Sequence, residues 1–94
     1  MIENDKIDNF KKNVEQIKFL LNEEIELIKS GHSNKNVEQI KTILYDVENM
    51  DIIRNSKLYR PVFDKIIIDS WDYSDGLGIK LLRLFKVYYE YFTK

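Results

Sequence analysis

The sequence has no cysteine, one proline, three glycines and one histidine among its 94 residues. The missing cysteine excludes a disulfide scaffold, a thiolate zinc site and a cysteine nucleophile. It fits a reducing compartment, and a cytoplasmic protein is expected. The scarcity of glycine and proline argues against a sheet-rich small domain, which needs more turn residues. His32 sits in a polar loop, without companions for a metal site and without a catalytic pairing for its neighbour Ser33. No apolar run approaches the ~20 residues that span a bilayer, so no membrane association is expected. Met1-Ile2-Glu3-Asn4-Asp5 lacks the basic start and apolar run of a signal peptide. Gly76-x-Gly78 lacks the third glycine, the preceding strand and the βαβ setting of a nucleotide fingerprint, and there is no Walker loop. These absences predict no catalytic residues, no metal and no cofactor, so the chain is not expected to be an enzyme.

Charge of either sign is also not in excess. Fifteen basic and 16 acidic residues leave a net charge of −1. A dedicated nucleic-acid binder or a polybasic membrane anchor normally carries a basic surplus. What the chain does have is a core and a polar surface: 44% hydrophobic, 13% aromatic and 33% charged residues. A chain of this length buries only roughly two thirds of its unfolded surface, so one core and one domain, 1–94, are expected.

Helical periodicity organises the chain. From about Asp5 to Ser30, Ile7, Phe10, Val14, Ile17, Leu21 and Ile28 recur at 3-4 spacing, with Glu24 at an apolar position. Leu20, Ile25 and Leu27 widen the stripe, so the C-terminal half is expected to be the more buried. Gly31 suits the residue after a helix end. Asn36 can cap a second helix, Val37 to Met50, with Gln39 completing a capping box. Its apolar face is Val37, Ile40, Ile43, Leu44 and Val47. The hexapeptide Asn13-Val14-Glu15-Gln16-Ile17-Lys18 recurs as Asn36 to Lys41. Similarity ends there, which favours coincidence over duplication.

Asp51 to Lys57 reads as a connection with Ile52 and Ile53 tucked into the core. Leu58 to Trp71 reads as a third helix, with Pro61 near its start and Val62, Phe63, Ile66, Ile67 and Ser70 on one face. The isoleucine run Ile66-Ile67-Ile68 is β-prone, but a lone strand has no partner elsewhere in the chain. Asp72 to Gly76 is a turn, and Ser74 or Asp75 can cap a fourth helix from Leu77 to Phe92 or Thr93. That helix carries two apolar stripes: Ile79, Leu82, Phe85, Tyr89 and Phe92, then Leu81, Leu84, Tyr88 and Tyr91. The fold expected is all-α, a small antiparallel four-helix bundle with a long first helix. At 1.5 Å per residue the first helix is ~39 Å long and the fourth ~25 Å. An overlong helix and a two-sided one suggest a homodimer through helix one or helix four.

Two stretches carry more chemistry than a bundle needs. Asp69, Asp72 and Asp75 recur at three-residue intervals around Trp71 and Tyr73. A calcium loop wants a Glu at its twelfth position, where this chain has Lys80. In one reading the aspartates and serines turn and cap the chain while Trp71 and Tyr73 pack on the core. In the other, an acidic, aromatic loop engages a basic partner protein. The second stretch, Tyr88-Tyr89-Glu90-Tyr91-Phe92, cannot face one core at every position, so Tyr88 and Tyr91 join the expected partner-binding set. Small neutral or acidic helical proteins of this size often act by binding, as bacterial immunity proteins, antitoxins and phage inhibitors do. The function expected is that of a non-catalytic protein-binding module. The alternative is a small dimeric nucleic-acid-binding regulator.

Overall fold

The computed structural model describes residues 4–93. Lys94 and the first three residues of the stretch tested for a signal peptide lie outside them. Four helices follow in order: α1 (Asn4–Lys29), α2 (Val37–Ile53), α3 (Phe63–Ser70) and α4 (Gly76–Phe92). There is no strand among the described residues, so the isoleucine run is helical. None of the helices is long and apolar enough to cross a membrane. The result is a four-helix bundle of 45 × 23 × 22 Å.

Helix α1 packs against α2 and α4, and α3 closes the other side against the same two helices. Phe10, near the start of α1, meets Phe92 at the end of α4 with ring centroids 4.9 Å apart. Leu20, Glu23 and Leu27, toward the end of α1, lie beside Gly76 and Leu77 at the start of α4, so the two helices run antiparallel. One cluster of buried side chains forms the core, with Phe10, Val14, Ile17 and Leu21 from α1, Ile40, Ile43, Val47 and Met50 from α2, Phe63 and Ile67 from α3, and Leu81, Leu84, Tyr88 and Phe92 from α4.

The helix ends follow local chemistry. Gly31 has φ +81°, and the bonds His32 N–H to Leu27 O (2.8 Å) and Gly31 N–H to Ile28 O (3.1 Å) close α1 as a Schellman motif. The Asn36 carboxamide accepts the Gln39 N–H at 3.1 Å. The reciprocal half of the capping box does not form, because the Gln39 side chain turns instead to Ser70 and Trp71.

Several expectations are corrected. Helix α2 runs past Met50 to Ile53 and ends on Arg54 at φ 49°, a left-handed residue that is not glycine. Ile52 is 77% exposed and outside the core, because it lies on the outward side of that last helical turn. The C-terminal half of α1 is the more buried, as expected: Ile17 and Leu21 are in the core and Leu20, Glu24, Ile25 and Ile28 are half-buried, but Leu27 is exposed and does not widen the buried stripe. The third helix begins at Phe63, not Leu58. Pro61 disfavours helix at Arg60, and its ring is buried. Val62 and Ser70 are exposed, leaving Phe63 and Ile67 as the inner face of α3. In α4 the buried line is Gly78, Leu81, Leu84, Tyr88 and Phe92, which crosses both predicted stripes. The two copies of the hexapeptide occupy different settings: Asn13 lies inside a helix, Asn36 caps one.

Asp46 organises the connection into α3. It is a buried residue of α2, yet it accepts the Val62 N–H at 2.8 Å, the Phe63 N–H at 3.1 Å and the Tyr59 hydroxyl. Val62 has no side-chain cap of its own. The carboxylate of α2 thus caps α3 across the fold, at the helix end where negative charge is favoured.

Candidate functional site

The turn between α3 and α4 is ordered by its own side chains. Asp72 accepts both the Ser74 N–H (2.8 Å) and the Ser74 hydroxyl (2.7 Å). These bonds hold its carboxyl below the usual 3.8. Asp75, not Ser74, caps α4, accepting the Gly78 N–H at 2.9 Å. Burial pushes the Asp75 carboxyl up, but the Lys35 ammonium and the helix N–H groups outweigh it and hold it below 3.8. The three aspartates therefore divide: Asp75 is structural, while Asp69 and Asp72 remain exposed.

Lys35 gathers the inner side of this turn. Its ammonium lies 2.7 Å from Asp75 Oδ2, 3.9 Å from Glu24 Oε2 and 5.1 Å from the Trp71 ring centroid. The Ser33 hydroxyl donates to Glu24 and accepts the Lys35 N–H at 3.2 Å. The Trp71 indole donates to Gln39 Oε1 at 3.4 Å, and Gln39 Nε2 donates to Ser70 Oγ at 3.3 Å. An open cleft of about 630 Å³ lies over these groups. His32 borders it and meets Ser30 Oγ at 2.8 Å. No buried side-chain polar atom of the described residues lacks a hydrogen-bond partner. The arrangement is a clasp joining α1, the loop, α2, α3 and α4. Sequence reasoning missed Lys35, and its one local signal was Glu24 at an otherwise apolar position of α1.

The outer side of the same turn is apolar. Ile68 is 69% exposed, Tyr73 95% and Ile79 39%. With the half-buried Leu82 and Trp71 they surround a cleft of about 150 Å³ whose floor includes Ile67 and Gly78. Gly78 is required for this floor: a Cβ there would lie 3.2 Å from Ile67 Cγ2 and 3.3 Å from Trp71 Cε3. Asp72 lines the cleft, and Asp69 follows Ile68 on the exposed face of α3. Neither aspartate has an ion-pair partner among the described residues.

The aromatic end of α4 lies elsewhere. Asp75 and Tyr91 are separated by most of α4, ~24 Å along its axis, so the two predicted stretches do not form one surface. Tyr88 is wholly buried, and its hydroxyl donates to Tyr59 O at 2.8 Å. It is a core residue, which corrects its placement in a partner-binding set. Position 88 falls on the inner line of α4, where Phe10 and Phe92 cover it. Burial raises its phenol above the ordinary 10.0. Tyr91 is half-buried, with Lys6 Nζ 5.4 Å from its ring centroid.

A further groove, about 180 Å³, opens between α1 and α4. Asn13, Gln16, Lys80 and Arg83 supply its polar lining. Among the described residues no group of three or more His, Asp or Glu side chains is placed to hold a metal ion. No protein-family model matches the chain, and no curated protein or solved structure matches it.

Proposed function

We propose that this chain is a non-catalytic protein-binding module of the immunity, antitoxin or inhibitor type. Its binding face would be the end of α3, the turn and the start of α4. The observation that carries this reading is Tyr73, 95% exposed beside an Ile68 that is itself 69% exposed. The turn completes its hydrogen bonds through Asp72, Ser74 and Asp75 without the Tyr73 side chain. The fold therefore has no use for that ring, while an exposed aromatic offers a partner large contact area at small entropic cost. The polar groups of the Lys35 cleft are engaged with one another, which supports a structural role for that cleft over a reactive one. The test is affinity capture from host lysate, run in parallel with the intact chain and with an Ile68→Ser/Tyr73→Ala variant. A protein recovered by the former and lost with the latter is expected. Recovery of the same proteins by both would overturn the reading.

The nucleic-acid alternative draws support from the groove that brings Lys80 and Arg83 beside Asn13 and Gln16. It predicts binding of a labelled DNA or RNA duplex that weakens steeply with salt and is lost in Lys80→Ala/Arg83→Ala.

A further inference from the structure

We infer that the occupant of the α3–α4 cleft is a basic amphipathic helix of a partner protein, seated by one aliphatic or aromatic anchor with Lys or Arg beside it. This rests on the protein-binding reading above and adds the partner's chemistry. Three observations carry it. First, the cleft holds about 150 Å³, and its walls are Ile68, Tyr73, Ile79 and Leu82. That volume takes one large apolar side chain and not a second layer of structure. Second, the charged side chain that lines the cleft is an aspartate. Asp72 lines the cleft, Asp69 stands next to Ile68, and neither has a cationic partner among the described residues. Bonds from Ser74 keep Asp72 ionised throughout the neutral range. Cations flanking an apolar anchor complement that pattern, and anions are repelled by it. Third, the walls are α3, α4 and the turn between them, and the described residues contain no strand. An extended strand would find no sheet edge to pair with here. A helix satisfies its own backbone and presents side chains on one face, as groove-docked helices do.

Trp71 provides the readout. It is the chain's one tryptophan, half-buried at the edge of the cleft. A displayed library of random peptides of about 16 residues, long enough for four helical turns, is selected on the intact chain. Peptides that also bind the Ile68→Ser/Tyr73→Ala variant are removed. The surviving peptides are expected to carry a positive excess, with apolar residues at i, i+3 or i+4, and i+7. They should shift the Trp71 emission and bind about threefold to tenfold more weakly to Asp69→Asn/Asp72→Asn, the range for two exposed charge pairs.

Survivors without a positive excess, without helical spacing, or indifferent to the aspartate substitutions would overturn the inference and leave protein binding at this face intact. Absence of any survivor, together with capture that does not depend on Ile68 and Tyr73, would overturn both. Sedimentation of the intact chain and the Ile68→Ser/Tyr73→Ala variant covers the remaining occupant. A dimer that dissociates in the variant would assign the cleft to a second copy and overturn the inference as well.

Discussion

Asp46 joins α2 to the start of α3 through a single carboxylate. At 4% exposure its carboxylate is out of water, and three donors compensate it. Removing it leaves two backbone N–H groups at the start of α3 and the Tyr59 hydroxyl without a partner. Asp46→Ala is expected to cost about 3 kcal/mol, the sum of a lost charged cap and the donors left buried. A fall in the urea midpoint with unchanged slope would measure it. Tyr59→Phe removes one donor only and is expected to cost about 1 kcal/mol. Burial and the Asp46 carboxylate both raise the Tyr59 phenol above 10.0, and burial raises Tyr88 in the same direction. Each phenol is harder to ionise in the folded chain. The stability they contribute is therefore complete below pH 10 and declines as pH rises beyond it. Stability should fall by up to ~1.4 kcal/mol per pH unit for each phenol. Tyr59→Phe should flatten that decline in denaturant titrations at alkaline pH. Asp75 acts at the opposite end of the scale. Its carboxyl lies below 3.8, so its contribution is present above that value and is lost as pH falls through the lowered one.

At the scale of helices, the three glycines are not equivalent. Gly31 holds a left-handed conformation, and Gly31→Ala is expected to lose about 1 kcal/mol at the end of α1. A Cβ at Gly76 would meet open space, and its φ is not positive, so Gly76→Ala should gain about 0.5 kcal/mol through helix propensity and chain entropy. Gly78 lets α3 and α4 approach closely at Ile67 and Trp71. Gly78→Ala is therefore expected to fall below Gly76→Ala by about 1 kcal/mol or more, because the added methyl meets side chains that must shift. Thermal unfolding of the three single variants ranks them. These positions also mark where sequence signals worked. Gly31 and Asn36 act on backbone within one turn, so α1's end and α2's start were readable. The end of α2 was not, since Arg54 adopts φ 49° without being glycine, assisted by its 2.8 Å bond to Asp51.

At the scale of the molecule, the clasp around Lys35 and the Asp46 network tie all four helices to one core. Unfolding should be two-state, with Trp71 emission and far-UV circular dichroism giving coincident urea transitions. The Ile68 and Tyr73 side chains of the proposed binding face lie outside both networks. Ile68→Ser/Tyr73→Ala should change stability by less than about 0.5 kcal/mol, as exposed substitutions do, while removing partner capture. A large loss of stability in that variant would mean that these side chains serve the fold after all. The stripe of α4 through Ile79, Leu82 and Phe85, one of the two that suggested a dimer from sequence, is partly accounted for within the chain. Phe63 of α3 packs on Phe85 with centroids 5.5 Å apart. Ile79 and Leu82 are left toward the open cleft.

The amino-acid sequence by itself determined the helical class, the number of helices, the inner stripe of α1 and the cap at Asn36, and it narrowed the cap of α4 to Ser74 or Asp75. All of these rest on interactions within one or two turns, where residue type and spacing decide the outcome. Only the tertiary structure decided which line of α4 is buried, that α3 starts at Phe63, and that Tyr88 belongs to the core. These depend on which helix covers which, and on pairings such as Asp46 with Phe63 or Lys35 with Asp75 that no local period encodes. The same division runs through the candidate face. Asp69, Trp71, Asp72, Tyr73 and Asp75 were legible as an unusual stretch of chain. Packing then turned Asp75 and Trp71 inward to the Lys35 clasp and left Asp69, Asp72 and Tyr73 outside, because α3 and α4 meet at Gly78 and close the space between them.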